Sequence, residues 1–235
     1  KKAKGIVSNG TIYNSDIVLS DADINFVYKY LLDPEYTPKK LVSQEKSSSA
    51  YVFYWGVKKI FDELDLHNIL FSDNYEEEFR WLFEEDKPYN DPTVYINITS
   101  KFCKNDAPVN SENWFVMVNV PHNKSGNNIS YAEELRKNTI TKINRVLKTD
   151  IEKFIEVEKV LTPVDIEKQT SSVGGSLYGN ASNNKFSAFL RHPNFSSKIK
   201  GLYFTGGSVH PGGGIPLCLM SAKIASQMIN KKYSA

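Results

Sequence analysis

The residues of this chain best suited to chemistry form a glycine-rich segment, Gly201 to Met220. Five glycines fall between Gly206 and Gly214, so most of this stretch is bare backbone. Such backbone lets a flat or anionic ligand approach closely. Unpaired N–H groups at the start of a helix point at such a ligand with the positive end of the helix dipole. The segment therefore predicts a site for a phosphate or a flavin edge, and a tight structural turn is the alternative.

A short strand and a helix are predicted on either side of these glycines. Leu202 to Phe204 form an apolar run typical of a strand, and Pro216 can take the first position of a helix. The loop matches neither G-x-G-x-x-G nor G-x-x-x-x-G-K-[ST], so neither the dinucleotide nor the P-loop fingerprint is present. The predicted arrangement is strand, glycine loop, helix.

His210 is the ionisable side chain closest to the middle of the segment. A lone histidine beside a proline either packs within its loop or acts as an acid or base, and both roles stay open. No metal site is predicted, because the remaining histidines and the two cysteines show no ligand spacing; these residues are His67, His122, His192, Cys103 and Cys218. Both cysteines are expected to be buried free thiols.

Composition excludes several classes of protein. With 40% hydrophobic and 24% charged residues, the chain is typical of a folded globular protein. The net charge of +2 is spread along the chain, so no nucleic-acid partner is predicted. No run approaches the roughly 18 apolar residues of a membrane-spanning helix and no signal segment opens the chain, so a cytoplasmic location is expected. The 13 Tyr, 13 Phe and 3 Trp indicate a large apolar surface to cover.

The first residues predict a β-hairpin and then a buried strand. Asn9 and Gly10 supply the positive φ angles of a tight hairpin turn, and Asp16 to Ala22 read as a strand that runs into a loop. Because an independent domain seldom opens inside a hairpin, we expect a further segment before Lys1 in the whole protein.

The middle of the chain predicts an antiparallel sheet with helices. Tyr51, Phe53 and Trp55 alternate with other residues, which places three rings on one face of a strand, and the runs 94–98 and 114–120 alternate in the same way. Helices are predicted where capping patterns occur, at Asp73 with Glu76, at Ser130 with Glu133, and at Thr162 with Pro163 and Asp165.

Gly207 to Pro216 resemble the C-terminal flavin motif of bacterial-type phytoene dehydrogenases, in which Gly-x-x-His-Pro-Gly-x-Gly-Ile-Pro recurs. Other segments are similar to the same family and keep its order: Gly5–Asp23, His67–Phe79, Asp91–Pro121 and Gly174–Gly179. The chain thus resembles the C-terminal half of an FAD-dependent, amine-oxidase-like carotenoid desaturase.

This resemblance implies an α/β fold of two lobes, with an α+β substrate lobe built on an antiparallel sheet. Residues 1–22 would supply a hairpin and strand of the FAD lobe, 23–200 the substrate-binding lobe, and 201–235 the strand, glycine loop and helix of the FAD lobe. The family's N-terminal G-x-G-x-x-G is absent from these residues. The N-terminal half of the FAD lobe is therefore an expected partner, and the fragment alone is expected to be inactive.

The resemblance also implies which residues contact FAD. Many amine oxidases place an acidic residue after the glycine that matches Gly206, whereas this chain has Gly207, so polar contacts would fall to backbone N–H groups and Ser208. The implied cofactor-binding residues are Gly206, Gly207, Ser208, His210, Pro211, Gly212, Gly213, Gly214, Ile215 and Pro216.

The implied reaction is desaturation of a phytoene-like polyene by hydride transfer to FAD, for which no catalytic side chain is assigned. Tyr51, Phe53 and Trp55 would help line an apolar substrate tunnel, with an ordinary aromatic core face as the alternative. Other open readings are a carotenoid or retinoid isomerase or saturase, a non-catalytic polyene-binding module, and an amine oxidase. Because the substrate is insoluble in water, peripheral contact with the inner face of the cell membrane is expected.

Overall fold

The computed structural model describes residues 1–42, 44–124, 131–181 and 191–233. The chain divides into two compact units, which we call the terminal unit (Lys1–Ser47 and Glu167–Ala235) and the sheet unit (Ser48–Ile166). In chain order the strands are β1 (Gly5–Ser8), β2 (Thr11–Asn14), β3 (Val18–Ser20), β4 (Ser49–Val57), β5 (His67–Leu70), β6 (Val94–Asn97), β7 (Glu112–Val120), β8 (Ile155–Leu161) and β9 (Leu202–Phe204). The α-helices described are α1 (Ile24–Phe26), α2 (Lys39–Val42), α3 (Tyr75–Arg80), α4 (Ala132–Leu147), α5 (Pro163–Thr170) and α6 (Ile215–Tyr233).

The sheet unit is built on five antiparallel strands in the order β5-β6-β7-β4-β8. Strands β4 and β7 pair along their whole length, from Ser49 opposite Val120 to Val57 opposite Glu112. Alternate residues of the sheet face a core that also receives side chains of α4. This core includes Tyr51, Phe53, Trp55, Val94, Ile96, Trp114, Val116, Leu135 and Ile143. The predicted antiparallel sheet is confirmed, since a period of two is what a sheet buried on one face requires.

One predicted helix start is wrong, and another lies outside the described residues. The Asp73 capping box is wrong: helix α3 is capped by Asn74, whose Oδ1 accepts from the Glu77 N–H at 3.0 Å. Asp73 is used differently, because its N–H donates to Asp91 and its carboxylate pairs with Arg145. Ser130, predicted to cap the next helix, lies outside the described residues, and α4 begins at Ala132.

The capping pattern before α5 is confirmed. Thr162 donates to the Asp165 carboxylate through its N–H and its hydroxyl, at 3.0 and 2.6 Å. The Asp165 N–H returns a bond to the Thr162 hydroxyl oxygen at 3.2 Å. Two otherwise unpaired N–H groups are thereby satisfied at the start of the helix.

The terminal unit holds the hairpin, and both turn residues have positive φ, 49° at Asn9 and 77° at Gly10, as predicted. A second, parallel sheet pairs β3 with β9, with Val18 opposite Leu202 and Ser20 opposite Phe204. Around it lies a small core formed by Ile24, Val27, Tyr28, Leu41, Ile199, Leu202, Phe204 and Val209.

The two compact units begin and end at other residues than the three segments predicted from the sequence. The sequence placed breaks after residues 22 and 200, whereas the units divide after Ser47 and after Ile166. The reason is that Ile24, Val27 and Leu41 share one core with residues of β9, far along the chain. Assignment of segments 1–22, 23–200 and 201–235 to FAD and substrate lobes stays a prediction.

Neither cysteine is buried as expected: Cys103 is exposed, Cys218 is half-buried, and both are free thiols. Cys103 follows a short 3-10 turn at Thr99–Lys101, outside the core. Across the described ranges, no helix has the length and apolar character needed to cross a membrane.

Candidate functional site

The predicted strand, glycine loop and helix all form, and they meet at one edge of the small parallel sheet. Strand β9 ends at Phe204, and the N–H of Thr205 donates to the Ser20 carbonyl at the end of β3, at 2.9 Å. The carboxyl ends of parallel strands are where open α/β sheets bind ligands. We call residues Thr205–Gly214 the glycine loop, which leads from this edge into α6.

A buried asparagine holds the two ends of the loop together. The Asn194 side-chain nitrogen Nδ2 donates to the Phe204 carbonyl at 3.2 Å, to the His210 carbonyl at 2.9 Å and to the Ser221 hydroxyl at 2.8 Å. Asn194 is 3% exposed and Ser221 is fully buried. One side chain therefore links the end of β9, the loop and helix α6. Sequence reasoning missed Asn194, because no local motif marks a residue that acts on carbonyls at such separations.

The early part of the loop turns inward. Ser208 is buried and its Oγ accepts from the Ile24 N–H at 3.0 Å, at the start of α1. A Cβ added to Gly207 would lie 3.3 Å from the Gly213 Cα, so the two halves of the loop are in close contact. Ser208 is thus engaged in holding α1, and its predicted contact with a cofactor stays a prediction.

The later part of the loop is covered on one side by two side chains. A Cβ on Gly213 would lie 2.2 Å from Cδ1 of Tyr178, and one on Gly212 would lie 3.2 Å from Nε of Arg191. Arg191 Nη1 also donates to the carbonyls of Tyr178 and Gly207, at 3.0 and 2.9 Å. No side chain larger than hydrogen fits at Gly213 while the Tyr178 ring stays in place.

At its end the loop is open. Gly214 has φ +97°, and a Cβ there would have no atom within 4 Å from the part of the chain that the structure describes. The Cys218 N–H donates to the Gly214 carbonyl at 2.9 Å, so the N–H groups of Ile215 and Leu217 precede the first i to i−4 bond of α6. Ile215 is 79% exposed, and Leu217 is exposed as well.

The open end therefore combines helix N–H groups, bare backbone and apolar surface. A flat, partly anionic group such as a flavin fits this combination, because the site offers space over Gly214 and the positive end of a 19-residue helix. Of the other predicted contacts, Gly206 has φ +100° and lies beside the Asp21 carbonyl, Pro211 is half-buried, and Pro216 is exposed at the second position of α6.

The two histidines of this region have opposite environments. His210 is exposed, and its backbone N–H donates to the His192 carbonyl at 2.9 Å. His192 is 9% exposed, with Nε2 3.1 Å from the Tyr28 hydroxyl and Nδ1 2.7 Å from the Pro193 carbonyl. Burial lowers the pKa of His192, so its ring is neutral at pH 7 and donates from Nδ1. His192 supports the loop, and no spacing in the sequence marked it.

A second segment that the sequence singled out, Gly174–Gly179, lies against the loop. Gly179 has φ +68°, and a Cβ there would come within 2.8 Å of the Ser208 Cβ. Ser47 fixes the segment from the other side: its Oγ accepts from the Tyr178 N–H at 2.9 Å and its N–H donates to the Gly179 carbonyl at 2.8 Å. Two motifs that are separate in the sequence are thus brought together in the terminal unit.

The three rings predicted to line a tunnel lie inside the core of the sheet unit. Tyr51 and Phe53 have no exposed surface and Trp55 is 2% exposed. Trp55 donates from Nε1 to Glu158 at 2.6 Å, and burial raises the pKa of Tyr51 to about 12. The structure shows these rings in the packing role, and their contact with a substrate stays a prediction.

Comparison with known proteins decides the family. The chain is 54% identical over 228 residues to 1-hydroxycarotenoid 3,4-desaturase of Flavobacterium sp. (strain P99-3), a match covering 97% of this chain and 47% of that protein. It is 32% identical to phytoene desaturase of Fusarium fujikuroi, over 98% of this chain and 44% of that protein. It is 33% identical to 4,4'-diaponeurosporene oxygenase of Staphylococcus aureus, over 96% of this chain and 46% of that protein. The chain belongs to the carotenoid desaturase family.

The chain spans about half the length of the curated relatives it matches. No protein-family model matches it. The fold of an oxidoreductase from Methanosarcina mazei, known from a crystal structure, is similar with a TM-score of 0.55 at 13% identity, over 95% of this chain and 46% of that protein. The family resemblance drawn from the sequence is confirmed.

Proposed function

We propose that this chain is part of an FAD-dependent oxidoreductase that desaturates a long apolar polyene of the carotenoid class. The observation that carries the proposal is the open end of the glycine loop, where Gly214 and the first turn of α6 offer bare N–H groups beside exposed apolar surface. The 54% identity to a carotenoid desaturase supports it, since that protein's name states both the substrate class and the reaction.

Desaturation removes a hydride from one carbon and a proton from its neighbour, and the two electrons of the second C–H bond form the new double bond. No amino-acid side chain accepts a hydride, and FAD supplies that acceptor when bound. The residues of this chain that would hold it are the backbone of Gly213 and Gly214 with the first N–H groups of α6. The Tyr178 ring packs on Gly213 and Arg191 packs on Gly212, so these two side chains fix the position of the loop that would hold FAD.

Among carotenoids, the 54% match favours a substrate that carries a hydroxyl close to its end, over the phytoene-like precursor that the sequence alone predicted. Oxygenation of a carotenoid is the second candidate, since one relative at 33% identity is named an oxygenase. We rank desaturation above oxygenation because the chain is 54% identical to a desaturase and 33% identical to the oxygenase. A water-insoluble substrate would also require contact of the whole protein with the face of a membrane.

The test uses the full-length protein, purified and examined for its visible spectrum before and after addition of carotenoids in liposomes. A bound flavin and a product with one more double bond are the expected results. A protein that binds the polyene but no flavin would instead indicate a binding module, and an added oxygen atom without a new double bond would indicate the oxygenase.

A further inference from the structure

The side chain of Tyr178 is held on the glycine loop from several directions. Its ring lies so close to Gly213 that a Cβ there would be 2.2 Å from Cδ1. Its N–H donates to Ser47 and its carbonyl accepts from Arg191, at 2.9 and 3.0 Å. With backbone and ring both fixed, the position of the phenol relative to the loop is determined by the fold.

The polar end of the same side chain is its hydroxyl group. Tyr178 is 47% exposed, and within the described residues its hydroxyl oxygen has no hydrogen-bond partner. A tyrosine hydroxyl both donates and accepts, so it can pair with another hydroxyl. The nearby polar groups of Ser208 and Asn194 are already bonded within the protein. Tyr178 thus presents an available hydroxyl beside the proposed flavin loop.

The chemistry of the favoured substrate places a hydroxyl close to the reacting bond. A substrate hydroxylated at carbon 1 and desaturated between carbons 3 and 4 has its oxygen three bonds from carbon 3, a span of about 4 Å from bonds of about 1.5 Å. Any group that recognises this hydroxyl must therefore lie within a few ångströms of the site where the flavin would react.

We propose that Tyr178 is a specificity-determining residue whose hydroxyl hydrogen-bonds to the terminal hydroxyl of a carotenoid substrate. This rests on the proposed function, since it takes the glycine loop as the flavin site. The rival within the loop is His210, which is also exposed. Tyr178 is favoured because its ring is fixed against Gly213, next to the open end at Gly214.

The test compares Tyr178→Phe with wild type in the full-length protein, using two polyenes that differ only by the terminal hydroxyl. Binding is followed by quenching of tryptophan fluorescence, and turnover by product formation. Tyr178→Phe keeps the ring on Gly213, so flavin content should be unchanged. Preference for the hydroxylated polyene should fall about tenfold, in Kd and in kcat/KM, the equivalent of about 1.4 kcal/mol.

Tyr13→Phe removes an exposed hydroxyl from the hairpin and should leave the preference unchanged. The proposal is overturned if Tyr178→Phe alters neither ratio, if it weakens both polyenes equally, or if His210→Gln alone removes the preference. A wild-type protein that carries flavin and binds both polyenes equally also overturns it. Failure of the proposed function looks different, because then the wild type holds no flavin.

Discussion

Replacing Gly214 by alanine should weaken flavin binding in the full-length protein, whereas a control glycine replaced in the same way should lose only stability. Gly214 has φ +97° and, among the described residues, no atom within 4 Å of an added Cβ, so the methyl group clashes with none of them. The matched control is Gly10 of the hairpin turn, which has φ +77° and equally open space. Both changes carry the same backbone strain of about 1 to 2 kcal/mol for an L-residue at positive φ.

The two variants differ only in what lies over the new methyl group. At Gly214 the methyl would project into the space proposed for the flavin, and crowding by one methyl group costs about 1 to 3 kcal/mol. That corresponds to a rise in the Kd for FAD of roughly five- to 150-fold. At Gly10 the Kd should not change.

The assay is titration of the FAD-free protein with FAD, combined with denaturant unfolding of both variants in the same buffer. A similar loss of unfolding free energy in both, with weaker FAD binding in Gly214→Ala alone, is the expected result. If both variants bind FAD like wild type, the open end of the loop is not the flavin site.

Three further predictions concern the packing of the loop in the full-length protein. Gly213→Ala should cost about 1 to 3 kcal/mol of unfolding free energy, and Tyr178→Ala on the same background should recover part of it, because Cδ1 lies 2.2 Å from the added Cβ. Asn194→Ala should cost about 1 to 3 kcal/mol, since it leaves buried carbonyls without a donor. Burial lowers the pKa of His192 from 6.5, so as pH falls the histidine is protonated in the unfolded chain before it is protonated in the folded protein. The free energy of unfolding should therefore fall as pH drops below about 6.5.

The controls are exposed residues of the same types. Asn14→Ala, at an exposed position, should change stability little. His192→Gln should flatten the pH dependence between pH 7 and the folded pKa of His192, and His210→Gln, at an exposed histidine, is the control. Equal slopes in all three proteins would show that His192 is not the titrating group. No recovery in the Gly213 and Tyr178 double variant would mean that the ring does not limit the space at Gly213.

Local patterns were enough to predict the elements that depend on neighbouring residues. The turn at Asn9 and Gly10, the alternation along β4 and the capping of α5 by Thr162 each follow from a few adjacent side chains. The glycine loop was recognised for the same reason, because its glycines and Pro216 fall within one short stretch of the sequence, Gly206 to Pro216.

What the sequence did not predict depends on long-range contacts. Asp73 is not the cap of α3, and its carboxylate instead pairs with Arg145, 72 residues away. Asn194 bonds to backbone carbonyls and His192 to the hydroxyl of Tyr28, which is distant in the sequence. Such contacts produce no recognisable spacing of residue types. The packing of Ile24 with β9, far along the chain, also follows from no local pattern. Family resemblance supplied the cofactor class, which composition and periodicity could not.

The most direct test of the account is an anaerobic single turnover of the full-length protein with a carotenoid in liposomes. We expect the flavin to become reduced and one new carbon–carbon double bond to appear for each flavin reduced. A flavin that stays oxidised while the carotenoid is bound, or a product formed without any reduction of flavin, would contradict it.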